Sequence, residues 1–212
     1  MFKVENCEVF NIHNAVRAMR HPLESYAKSD SDFSFPQMNP IIGDNDMKLM
    51  HRLFSAGSEH RKFMRQIFVT MDITAPLYWW KEFDTYKVGT TANSCSTMHT
   101  LHKRDLTLDD FSIESLDRFE LRIFEAVINR INGLREDFLE TKDKKTWLKM
   151  IQLLPSSYNQ KRTVTMNYEN AVNMIHQREG HKLQEWNTFV SYLRDLPYLE
   201  EIMYGRGEEE TK

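Results

Sequence analysis

A chain of 212 residues with 28 Lys and Arg against 31 Asp and Glu, a net charge of −3, has no general attraction for nucleic acid or acidic membranes, so any anion site must be local. Hydrophobic residues at 41%, charged residues at 28%, and only 7 Gly and 6 Pro exclude a low-complexity or disordered polymer. The length suits a single domain, 1–212, with its own core, or a protomer that shares a core with copies of itself.

From the N-terminus, residues 2–10 read as a short strand, and the charges at Lys3, Glu5 and Glu8 interrupt the apolar run a signal peptide needs. No stretch approaches the roughly 20 apolar residues that span a bilayer. Two distant cysteines, Cys7 and Cys95, outside any CxxC spacing, indicate a reducing compartment. A cytoplasmic protein with no membrane or nucleic-acid partner is therefore expected. The 12 Met suit a soft core, or a flat aromatic ligand.

Asn11 to Arg20 reads as a helix with Ile12, Ala15, Val16 and Met19 on one face, broken at His21-Pro22. Residues 28–40, rich in Ser, Asp and Pro, are expected as a surface loop or lid anchored by Phe33 and Phe35. A helix from about Asp44 carries Met47, Met50, Leu53 and Phe54 and stops at Gly57. Gln66 to Ala75 alternates, with Ile67, Val69, Met71 and Ile73 on one side: a strand with one face in the core, ended by Pro76. Beyond it, Trp79, Trp80 and Phe83 anchor a helix.

From Thr107, spaced three before Asp110 as in a capping box, a long amphipathic helix is expected to about Phe138, with Leu116, Phe119, Ile123, Phe124, Val127, Ile131 and Leu134 inward. Further helices follow at about Lys145 to Leu154, stopped by Pro155, at Asn167 to Gln177, with Ala171, Val172 and Ile175 inward, and at Lys182 to Arg194. The charged tail, about 205–212, should fray. The sum is α+β, helix-rich with a small sheet.

The stretch from Trp79 to Met98 is the chemically unusual one. Gly89 and the run Thr-Thr-Ala-Asn-Ser-Cys-Ser-Thr offer small polar side chains and backbone N–H groups, which suit a loop close to an anionic ligand. Cys95, downstream of Lys81 and Lys87, is either an activated thiol or a small space-filler with no base at hand. Arg178, at the end of its helix, either compensates the helix dipole or reaches a phosphate or carbonyl oxygen. His51 and His60, and the i, i+3 pair His99 and His102, lack the third ligand a metal site needs, so surface histidines and no metal are expected. No P-loop, GxGxxG, HExxH or GxSxG is present.

The run VTMDITAPLYWWKEFDTYKVGTTANSCS resembles the core of the flavin-dependent thymidylate synthases (ThyX). Ala75-Pro76 matches the family's strand end, Glu82-Phe83 stands for its Gln-Trp, and Thr85-Tyr86-Lys87, seven residues, Cys95 occupies its signature of Arg-His-Arg, seven residues, Ser. Ala15-Val16-Arg17-Ala18, His60, Leu154-Pro155, the helix Asn167 to Arg178 and Lys182 to Trp186 resemble further family segments in the same order, over about residues 13–200.

The resemblance implies a twisted sheet flanked by helices, a homotetramer, and FAD and deoxynucleotide sites at subunit interfaces. It implies reductive methylation of dUMP with methylenetetrahydrofolate and reduced flavin, NADPH being a possible further co-substrate, and no enzymatic nucleophile. His60, Tyr86, Lys87 and Asn167 would face the flavin, while Glu82, Asn93, Ser94, Cys95, Ser96 and Arg178 would line the dUMP pocket, Arg178 holding the pyrimidine. The departures are Thr85 and Lys87 for two arginines, Asn93 for the loop glutamate, and Thr97 where an arginine is expected. They leave two readings: a divergent flavoenzyme acting at C5 of a deoxyuridine nucleotide, or a ThyX-fold protein without synthase activity that binds a nucleotide or a protein partner.

Overall fold

The alternation after Ile67 forms strand β2 (Phe68–Pro76), with Val69, Met71, Ile73 and Ala75 fully buried and Thr70, Asp72 and Thr74 only partly covered. In the computed structural model, which describes residues 2–34 and 40–206, β2 belongs to a four-stranded antiparallel sheet of order β1-β2-β4-β3. The other strands are β1 (Lys3–Phe10), β3 (Thr91–Ser94) and β4 (Asn159–Asn167). Helices supply most of the rest, and the fold is α+β as the sequence indicates. Among the described residues no helix is long and apolar enough to cross a membrane.

The chain forms two compact units. The first comprises Met1–Glu5, Asp72–Thr85 and Ala92–Val164. In it α3 (Leu77–Phe83) buries Trp79, Trp80 and Phe83, the three anchors read from the sequence, and the two indoles meet edge to face at 4.9 Å. The long helix α5 (Arg118–Thr141) packs on α6 (Lys144–Leu153) around Leu101, Leu106, Phe111, Ile131, Leu134 and Met150.

Two expectations for this unit are corrected. The capping box at Thr107 and Asp110 exists, but it closes a 3-10 turn (Leu108–Asp110). Phe111 then bridges to Tyr158 and Ser112 bonds to Ser157 and Asn159, which draws the chain into extended backbone. The long helix starts later, at a second capping box: Asp117 accepts the N–H groups of Phe119 and Glu120, and Glu120 returns to the Asp117 N–H. Phe119 and Ile123 consequently stand 69% and 53% exposed, because the buried seam begins at Ile128. The small polar run expected as a loop contains β3 and a short helix, α4 (Thr97–Thr100). Its small side chains are all exposed on β3, and it is the backbone that pairs.

The second unit comprises Asn6–Met71, Tyr86–Thr91 and Thr165–Lys212. Helix α1 (Ile12–Met19) buries the four residues its periodicity selects, and α2 (Asp44–Ser55) buries Met47 and Met50. Helix α7 (Tyr168–Arg178) packs on α8 (Gln184–Arg194), and α2 packs on a final helix, α9 (Leu199–Tyr204). Asp46, fully buried, takes hydrogen bonds from Arg20 Nε (2.6 Å), Ser29 Oγ (2.7 Å) and Ser31 Oγ (2.6 Å). That network ties the start of the Ser-rich segment to α2. Phe33 packs down as expected, stacked on His13 at 4.3 Å, whereas Phe35 and positions 207–212 of the tail lie outside the described residues.

Candidate functional site

Helix α7 starts at a reciprocal cap. The Asn167 side-chain oxygen accepts the Asn170 N–H (3.0 Å), and Asn170 Oδ1 accepts the Asn167 N–H (3.3 Å). Asn170 Nδ2 then donates to the Val88 carbonyl (2.8 Å), so the first turn of α7 holds the segment Tyr86–Thr91. Gly89 lies at φ 77°, and a Cβ there would fall 2.7 Å from Asn170 Oδ1 and 3.0 Å from Asn167 Nδ2, so any side chain would be strained and would displace those amides. The last turn of α7 holds the same segment: Arg178 Nε donates to the Tyr86 hydroxyl at 2.9 Å.

The Arg178 guanidinium carbon sits 4.5 Å over the ring of buried Trp186 and 5.5 Å over that of Tyr86. Two aromatic faces and a phenol fix its plane, and such stacking stabilises the cation by about 0.5–2 kcal/mol. His181 approaches as well. Its Nδ1 accepts the Leu183 N–H at 3.1 Å. A neutral imidazole accepts at only one nitrogen, so the ring proton is assigned to Nε2, 3.3 Å from Arg178 Nη1.

Tyr86, Asn167 and Arg178 thus all meet around α7, whereas the resemblance assigned Tyr86 and Asn167 to the flavin and Arg178 to the dUMP pocket. Lys87 is next to them in the chain, and its side chain is exposed. His60, also exposed, lines a separate cavity of about 1170 Å³ formed by α1, α2 and the turn Lys62–Gln66. Its neighbour Arg61 and Arg65 both donate to Glu169 in the first turn of α7, each at 3.0 Å. Sequence reasoning did not single out Asn170 and His181. Asn170 carries a readable signal, an Asn three residues after the Asn167 cap; His181 carries none, because its position depends on the turn after α7.

The remaining candidates belong to the first unit. Glu82 is half-buried, and its carbonyl accepts the Thr85 hydroxyl at 2.7 Å. Asn93, Ser94 and Cys95 are exposed, and Ser96 is partly covered at the start of α4. Cys95 is held through its backbone: its N–H donates to the Lys161 carbonyl (2.9 Å), and its own carbonyl accepts from Gln160 Nε2 (2.8 Å). Its exposure excludes the space-filling role. Gln160 in turn accepts Arg162 Nε (2.9 Å), while Arg162 stacks 4.2 Å over Trp80 and pairs with Asp84 at 2.7 Å. This cluster locks the end of α3 to β4, and neither Gln160 nor Arg162 was anticipated as part of it. Among the described residues no group of three His, Cys, Asp or Glu could hold a metal ion. His102 meets Phe138 edge to face at 5.3 Å.

Two crystal structures of the thymidylate synthase X (ThyX) of Helicobacter pylori, each with FAD and dUMP, superpose on this chain with a TM-score of 0.68. The match covers 96% of this chain and 97% of theirs, at 17% and 18% sequence identity. The chain has a ThyX-like fold. No family model matches it, and no curated protein is similar enough in sequence to count as a relative.

Proposed function

We propose that the chain is a flavin-dependent enzyme that transfers a one-carbon unit to C5 of a deoxyuridine nucleotide, converting dUMP to dTMP with methylenetetrahydrofolate as carbon donor and NADPH as reductant, in the cytoplasm and as a homotetramer. The observation that carries this reading is the fixed guanidinium of Arg178, held by Tyr86 and Trp186 within a ThyX-like fold. A planar cation beside the His181 N–H suits the carbonyl oxygens of a pyrimidine. Negative charge that develops on such an oxygen as C5 becomes nucleophilic meets donors already oriented for it. In this reading Arg178 is the catalytic residue and binds the base, with Glu82, Asn93, Ser94, Cys95 and Ser96 as substrate-binding candidates.

The residues also fit a flavin. Of the side chains proposed to hold it, His60 lines a cavity with the volume for a dinucleotide, while Tyr86, Lys87 and Asn167 lie on the α7 cluster outside that lining. When bound, the flavin supplies the hydride that reduces the transferred carbon. No thiol nucleophile enters the scheme, so Cys95 has no covalent role.

One observation favours a second reading, a ThyX-like protein that binds a nucleotide without synthase activity. Between Thr85 and Thr97 the only cation is Lys87, and Thr85 commits its hydroxyl to the Glu82 carbonyl. A single experiment separates the two: purified protein is titrated with FAD and dUMP, then assayed for release of the C5 hydrogen of dUMP with folate and reductant. Binding with release supports the enzyme; binding of either ligand without release supports the second reading; absence of both overturns each.

A further inference from the structure

The cavity of the second unit carries a charge pattern that the fold does not need. Lys28, Lys48, Arg52 and Lys62 line it, and none of the four has an ion pair among the described residues; Glu59 is the one acid on its wall. In a chain of net charge −3 this concentration is local. Lys48 and Arg52 are one helical turn apart on α2, on the face that also carries Asn45 and Leu49, and like charges at that spacing repel. Arg20, 4% exposed in the same wall, has its charge met by Asp46, but its Nη2 has no hydrogen-bond partner among the described residues. Leu49, Leu53 and Phe63 give the cavity an apolar side. Four uncompensated cations around a hollow with one apolar wall are the complement of an anion attached to a flat ring.

We infer that this cavity binds the diphosphate of a nucleotide, with Lys28, Lys48, Arg52 and Lys62 supplying the positive charge that the Thr85 to Thr97 strip lacks. The inference rests on the nucleotide-binding reading above and adds where the anion is held and by which side chains. The same chemistry is offered by the diphosphate of FAD and by that of a free nucleoside diphosphate.

The test is calorimetric titration of the full chain with FAD, ADP, riboflavin and adenosine, for the native protein and for the pairs Lys48→Gln with Arg52→Gln and Lys28→Gln with Lys62→Gln. These four side chains are exposed, so the variants should keep the native thermal midpoint, which is measured alongside. FAD or ADP should bind, and each pair of substitutions should weaken that binding by about tenfold or more, since removing one charge-assisted hydrogen bond has an effect of that order. Added salt should weaken it further, while any binding of riboflavin or adenosine is unchanged. FAD binding far more tightly than ADP identifies the flavin as the source, and the reverse identifies a free nucleotide. ADP or FAD bound through these residues without release of the C5 hydrogen leaves the inference standing and removes the synthase reading. Failure of both diphosphates to bind, or equal binding by native and substituted proteins, overturns it.

Discussion

Arg178 and Tyr86, 92 residues apart in the chain, share a hydrogen bond of 2.9 Å in which the guanidinium Nε donates to the phenol. In the proposed function that bond orients the cation for dUMP, and the Tyr86→Phe variant removes it while keeping the ring under the guanidinium. A hydrogen bond to a charged group contributes about 1.5–3 kcal/mol, so dUMP binding by Tyr86→Phe should fall about tenfold by calorimetry. Arg178→Lys, which keeps charge but loses the plane, should fall further. An unchanged affinity in both would remove Arg178 from the nucleotide site.

Cys95 is exposed and its neighbours hold only its backbone. The Cys95→Ala variant should therefore keep the rate of C5 hydrogen release of the native chain. Loss of turnover, with FAD and dUMP still bound, would make the thiol a participant.

Burial alone would raise the Asp46 carboxyl, but hydrogen bonds from Ser31 and Ser29 and the Arg20 guanidinium outweigh it and hold it below the ordinary carboxylate value. A depressed folded-state pKa adds stability that is present above the unfolded value and lost as pH falls through the folded one. The thermal midpoint should thus be flat near neutrality and drop through the acidic carboxylate range. In Asp46→Asn the midpoint should be lower at neutral pH and the acid-side drop smaller.

The two capping boxes of the first unit make a contrast. Asp117 caps 24 residues of α5, and Asp117→Ala should cost about 1 kcal/mol in urea unfolding. Thr107→Ala touches only a three-residue turn, where Asp110 also pairs with Arg104, and should cost less. Equal losses would mean that α5 draws its stability from packing alone.

Periodicity found the elements whose one face is buried. Helix α1, the inner side of β2 and the anchors Trp79, Trp80 and Phe83 could be read directly, because burial there follows side-chain pattern. Strand β4 could not: its sequence Asn-Gln-Lys-Arg-Thr-Val-Thr-Met-Asn hides a buried Gln160, satisfied by hydrogen bonds, where an apolar residue would have marked the face. Strand β3 escaped for the opposite reason, since all four side chains are exposed and only its backbone pairs. At the candidate site, Tyr86 is legible through the spacing that resembles the ThyX signature, and Asn167 and Arg178 through the helix that resembles a further family segment. The Trp186 ring under the guanidinium and the His181 proton beside it arise from the turn after α7, which leaves no periodic trace.

The glycine at 89 carries a consequence for how such a chain can diverge. Its missing side chain leaves the space in which the Asn170 and Asn167 amides lie, so a side chain at 89 forces both amides to move, while either Asn can be shortened with Gly89 kept. Lys87 and Val88, whose side chains turn outward from the same clamped segment, bear no such constraint. Substitutions there leave the hydrogen bonds around α7, which use the Val88 carbonyl and the Tyr86 hydroxyl, in place.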